Sequence, residues 1–175
     1  MIKIKNLCKR LVWFLFIVMG LLPVANILYW LLVDERSVQI VMLSSMPIDA
    51  LNLSYSTRVW GCLISSVPMA FVMYIIYHLA NIFDNYSNER IFCIENAKRY
   101  KKLGLALFGL ALVNFLTDPV LSVVMSGQHS LGERHISLGI GAGQIYPFIF
   151  GLSIYVISFI MYEAHQLSEE QKFTI

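Results

Sequence analysis

Four long apolar runs dominate the chain, at positions 11–33, 59–83, 103–126 and about 144–162, and polar segments separate them. A helix rising ~1.5 Å per residue needs about 20 apolar residues to cross a ~30 Å hydrocarbon core, and each run is of that order. The pattern predicts an all-α membrane protein, a four-transmembrane-helix bundle forming one domain over 1–175. Composition agrees, since 58% of the residues are hydrophobic and only 14% are charged. A soluble domain carries roughly a quarter charged residues. Mean hydropathy is +0.67.

The first run follows Lys3, Lys5, Lys9 and Arg10 and could be taken for a signal peptide. It is longer than the ~7 to 15 residues of a secretory apolar region, and Pro23-Val24-Ala25 is a poor cleavage sequence. We read it as a retained first span. Cys8 precedes the run, which also excludes a lipoprotein reading.

Charge adds orientation. Lys and Arg accumulate in short cytoplasmic segments because translocating them is costly. Four precede the first run, five lie between the second and third (Arg90, Lys98, Arg99, Lys101, Lys102) and Lys172 follows the fourth, against Arg36, Arg58 and Arg134 on the other side. The count predicts both termini in the cytoplasm. The outer loops admit two readings. Segments 38–43 and 135–141 could pair as a small extracytoplasmic β element, or 47–53 could form an interfacial helix. Cys8, Cys62 and Cys93 show no C-x-x-C spacing, so no structural disulfide is expected.

The polar segment between spans two and three carries a recognisable order of residues. Phe83-Asp84-Asn85-Tyr86-Ser87, Ile91-Phe92, Glu95-Asn96-Ala97 and Gly104 are joined by Ile64-Ser65-Ser66-Val67-Pro68, Gly132-Glu133-Arg134, Ile136-Ser137-Leu138, and the tail Glu163-Ala164 to Leu167 with Glu169-Glu170-Gln171. Together they resemble an uncharacterised bacterial four-span integral membrane family, domain of unknown function twenty-nine seventy-five, from residue 59 onward. That family often has Gly where Asn88 or Glu89 stands, and usually Thr where Cys93 stands. The resemblance implies four spans in a bacterial inner membrane but no activity. Some members lie beside genes for small helix-turn-helix regulators, which implies a regulatory role.

Candidate sites are few. Asp118-Pro119 places a carboxylate inside span three, where charge is costly and by default functional. Asp118 lies nearer the outer interface than the midplane, so anchoring to Arg58 or Arg134 competes with ion or proton passage. His78, near the cytoplasmic end of span two, shares a helical face with Tyr74 and Asn81. As the only histidine clearly within a span it cannot make a facing pair of haem ligands, and interfacial hydrogen bonding is the expected role. His129, Glu133 and His135 match no standard metal spacing. No Walker loop, G-x-S-x-G or H-E-x-x-H is present, so no catalytic residue, cofactor or metal is assigned and an enzyme is not expected.

Asn26, Ser65, Ser66, Asn114, Ser122 and Ser153 are expected to face neighbouring helices, and Gly104, Gly109, Ala111 and Gly151 to permit close contact. Trp13, Tyr29, Trp30, Trp60 and Tyr162 are expected in the headgroup zone. Lys98, Arg99, Lys101 and Lys102 remain as a basic cluster on the inner face, a candidate for contact with a partner or with anionic lipid headgroups. Beside the lipid bilayer itself, a cytoplasmic regulator protein is the expected partner, nucleic acid is not, and Glu163, Glu169 and Glu170 could attract the cluster from the fourth helix. The leading expectation is a non-enzymatic protein acting through interaction. A small transporter or accessory subunit using Asp118 is the alternative.

Overall fold

The computed structural model describes residues 2–32, 54–126 and 139–172. They form four α-helices: α1 (Ile2–Leu32), α2 (Tyr55–Ser87), α3 (Ile94–Ser126) and α4 (Ala142–Lys172). All four are long and apolar enough to cross a membrane. The expected all-α four-helix bundle is therefore the fold, and no strand occurs among the described residues. Segments 38–43, 47–53 and 135–138, where the β element or interfacial helix was expected, lie outside the described residues.

The helices overrun the apolar runs. α2 continues to Ser87, so Asp84 to Ser87 at the start of the polar segment are helical. A helix satisfies its own backbone hydrogen bonds in lipid or in water, and the bilayer boundary need not end it. Each helix contains one proline: Pro23, Pro68, Pro119 and Pro147. A proline cannot donate to the carbonyl four residues earlier. For Pro147 that carbonyl belongs to Gly143, and Asn114 of α3 supplies the missing donor at 2.8 Å.

Extensive packing among the described residues follows chain order: α1 on α2, α2 on α3, α3 on α4. Each pair is antiparallel, and each is held by different means. Between α1 and α2, Trp30 Nε1 donates to Ser65 Oγ at 2.9 Å, and Asn26 sits 2.9 Å from Ser65 and 3.5 Å from Ser66. The Trp30 ring lies flat on Gly61, where any Cβ would fall 2.2 Å from it. Trp30 is consequently only 4% exposed. Its indole N–H is drawn inward, to a hydroxyl on the neighbouring helix. Trp13 and Trp60 do project outward, at 72% and 59% exposure.

Between α3 and α4, bare backbone meets bare backbone. A Cβ on Gly104 would lie 2.9 Å from the Tyr155 nitrogen, and one on Gly151 would lie 3.1 Å from the Gly104 oxygen. Without a hydrophobic drive between helices in lipid, such close approach supplies the dispersion that holds them. The expectation for Gly104 and Gly151 holds here. Ser153 departs from its expectation: it is exposed and its hydroxyl returns to Ile149 O of its own helix at 3.0 Å.

Candidate functional site

The end of the bundle that carries the α2–α3 turn concentrates the polar chemistry. α2 closes in a Schellman arrangement: Glu89 N donates to Tyr86 O at 3.1 Å and Arg90 N donates to Asn85 O at 2.9 Å. The residue between helix and turn must then adopt left-handed backbone, and Glu89 does so at φ 63°. Glycine meets this demand without steric cost.

Behind the turn lies Asn96, fully buried at 0% exposure. Its amide nitrogen donates to Arg90 O at 2.8 Å and Ile91 O at 2.9 Å, and its oxygen accepts from Asn85 Nδ2 at 2.7 Å. One side chain thus ties the last turn of α2, the connecting segment and the first turn of α3. Tyr86 and Tyr100 pair through their hydroxyls at 2.9 Å. His165 of α4 meets Phe92 O at 3.0 Å, bringing the fourth helix to the same turn. Cys93, immediately before α3, directs its sulfur back to Arg90 O at 3.4 Å. The three cysteines are free thiols.

The cations lie on the outside of this knot. Lys98, Lys101 and Lys102 are exposed and Arg99 is half-buried. Arg90 is engaged with Glu95 at 3.3 Å. Among the described residues none of Lys98, Arg99, Lys101 and Lys102 forms an ion pair, so the attraction expected from Glu163, Glu169 and Glu170 does not reach contact with them. Glu169 and Glu170 instead border a recess with Ile94, Tyr162 and His165.

The two in-span candidates are far apart. Asp118 sits toward the opposite end of α3, half-buried, and accepts a hydrogen bond from Gln144 of α4. Gln144, 8% exposed, uses its other end to accept from Gly141 N at 2.8 Å. This is the glutamine half of a capping box at the start of α4. Of the two arginines expected to hold Asp118, Arg58 instead donates to Leu31 O at 2.9 Å, capping the end of α1, and Arg134 lies outside the described residues. Gln144 went unassigned in the sequence reading, although a glutamine three residues after Gly141 was its signal.

His78 is 4% exposed and packs edge-on against Tyr74 and Tyr77, with ring centroids at 4.4 and 5.5 Å. Neither ring nitrogen has a hydrogen-bond partner among the described residues. The expected interfacial hydrogen bonding is thus absent there, because the imidazole points into the helix seam. Asn81 turns to its own helix, donating to Tyr77 O at 2.7 Å. His129, Glu133 and His135 lie outside the described residues. Among the described residues no group of three His, Cys, Asp or Glu side chains comes together as a metal site.

A family model described as "Protein of unknown function (DUF2975)" matches residues 48–175. No curated protein and no solved structure matches the chain. The match spans most of the sequence, and the chain belongs to that family.

Proposed function

From membership in a family of unknown activity, we propose that this integral membrane protein works without catalysis, as a docking platform for a cytoplasmic regulator protein at the face bearing Lys98, Arg99, Lys101 and Lys102. The observation that carries the reading is the separation of charge from structure at the α2–α3 turn. Neutral groups, Asn85, Asn96, Tyr86 and Tyr100, hold the turn internally, while the four neighbouring cations take part in no ion pair among the described residues. Cations with no internal ion pair, presented on a well-tied helix start, suit recognition of an acidic surface. The bias of ten Lys and Arg on one side against three on the other supports a cytoplasmic position for this face.

The hydrogen bond from Gln144 favours an anchoring role for Asp118 over ion passage. A photo-crosslinking residue placed at Lys101 in living cells tests the docking reading. An adduct with a discrete cytoplasmic protein is expected; labelling of lipid alone, or labelling from the outer side of the membrane, overturns it.

A further inference from the structure

Between α2 and α3 the helices leave space. A groove of about 440 Å³ runs between the two helices, lined by Ala70, Phe71 and Tyr74 of α2 and by Lys102, Leu105 and Ala106 of α3. It lies within the range of small-ligand sites, roughly 300–1,000 Å³. Its lining is mostly apolar, and Lys102 is the charged residue among the described residues that line it. Phe71 rests on Gly109, where a Cβ would come within 2.5 Å of the ring, and this closes the far end.

The antiparallel register places the groove relative to the turn. Phe71 lies over Gly109 and Asn85 bonds Asn96, so His78 falls level with Lys102. Arg99 lies one turn nearer the α2–α3 turn than Lys102, on the same side of α3. The apolar run of the third span begins at Leu103. The groove is therefore apolar inside the span and positively charged where the span ends. An amphiphile with a hydrocarbon chain and an anionic head has the same order of chemistry.

We propose that this groove is a site for one anionic phospholipid, with an acyl chain along Ala70, Phe71, Leu105 and Ala106 and the phosphate at Lys102, supported by Arg99. Charge complementarity selects the head, and the apolar seam distinguishes this site from diffuse attraction of anionic lipid to any exposed lysine. Lys102 extends its hydrocarbon stem beside the groove and its ammonium to the headgroup level, as interfacial lysines do. The inference is independent of protein docking, which calls equally on Lys98 and Lys101 outside the groove.

Native mass spectrometry of the purified full chain, released from nanodiscs of equimolar phosphatidylglycerol and phosphatidylcholine, tests it. One phosphatidylglycerol retained per chain in preference to phosphatidylcholine is expected. Lys102→Gln should lower that retention at least fivefold, and Ala70→Leu, which fills the groove from an exposed position, should lower it comparably. Lys101→Gln should leave it unchanged. Equal retention of the two lipids overturns the proposal, as does a loss with Lys101→Gln equal to that with Lys102→Gln. Displacement of the lipid by millimolar inorganic phosphate would also overturn it, since an ion site alone would then suffice.

Discussion

Helix α3 is packed on both sides, and its two seams are built on opposite terms. Toward α4 it offers Gly104 to Gly151, and the backbones approach until no Cβ fits without crowding main-chain atoms. Toward α2 it meets bulk: Phe71 covers Gly109, Tyr74 stands beside the groove and His78 packs on Tyr74. Close backbone contact at Gly104 and Gly151 excludes side chains from that crossing, so that stretch of the first seam can only be structural. Bulky side chains prop the second seam open, and the hydrogen-bonded turn holds it together at one end. A membrane bundle can thus place its cohesion and its capacity to bind along different stretches of one helix.

The hardest blow to this contrast is Gly104→Leu. Main-chain atoms of Tyr155 and Gly151 cannot swing aside as a side chain can, and overpacking typically costs about 1–3 kcal/mol or more. Loss of most monodisperse protein on size-exclusion chromatography in detergent is expected. Gly109→Leu meets only the Phe71 ring and should be tolerated better; equal damage from both would erase the distinction between the seams.

Asn96→Ala comes next. It leaves the Asn85 amide and the Arg90 and Ile91 carbonyls without their partner, at about 1 kcal/mol for each hydrogen bond lost where water can replace it in part. A clear fall in thermal midpoint is expected, with the α3–α4 seam intact by cysteine cross-linking between its helices.

Glu89→Gly should act in the opposite direction. Removing the side chain from left-handed backbone relieves about 1–2 kcal/mol, and a raised thermal midpoint is expected. No rise would mean that the turn does not hold Glu89 in that conformation.

Asp118→Asn should have the smallest effect. An amide oxygen can still accept from Gln144, so a thermal midpoint within the equivalent of about 1 kcal/mol is expected. Asp118→Leu, which leaves Gln144 without its acceptor, should cost more. Loss of an ion-dependent phenotype in a well-folded Asp118→Asn variant would instead revive permeation.

Much of the architecture is legible in the sequence, because hydrocarbon thickness sets the length of an apolar run regardless of its neighbours. The small residues at 104 and 151 and the polar residues at 26 and 65 announce helix contacts for a similar reason, since lipid rewards few other uses for them. What the pattern hides is pairing across distance. Trp30 carries the composition of an interfacial aromatic, and only the hydroxyl of Ser65, on the next helix, turns it inward. Asn96 reads as one polar residue in a polar segment, and its role depends on two carbonyls that converge only once the turn has formed. His78 looks like a hydrogen-bonding residue until its surroundings prove to be tyrosine rings.

Separation of the turn's neutral interior from its charged exterior is the central claim, and charge reversal tests it most directly. Cytoplasmic protein recovered with Lys98→Glu/Arg99→Glu/Lys101→Glu should be compared with that recovered by wild type, in mild detergent and at matched thermal midpoints. The account predicts that a discrete partner accompanies the wild type and is lost from the variant, while the midpoint stays within about a degree of wild type, since surface charges contribute little to stability. Recovery of no cytoplasmic protein by either form, or collapse of the variant's midpoint, would contradict it.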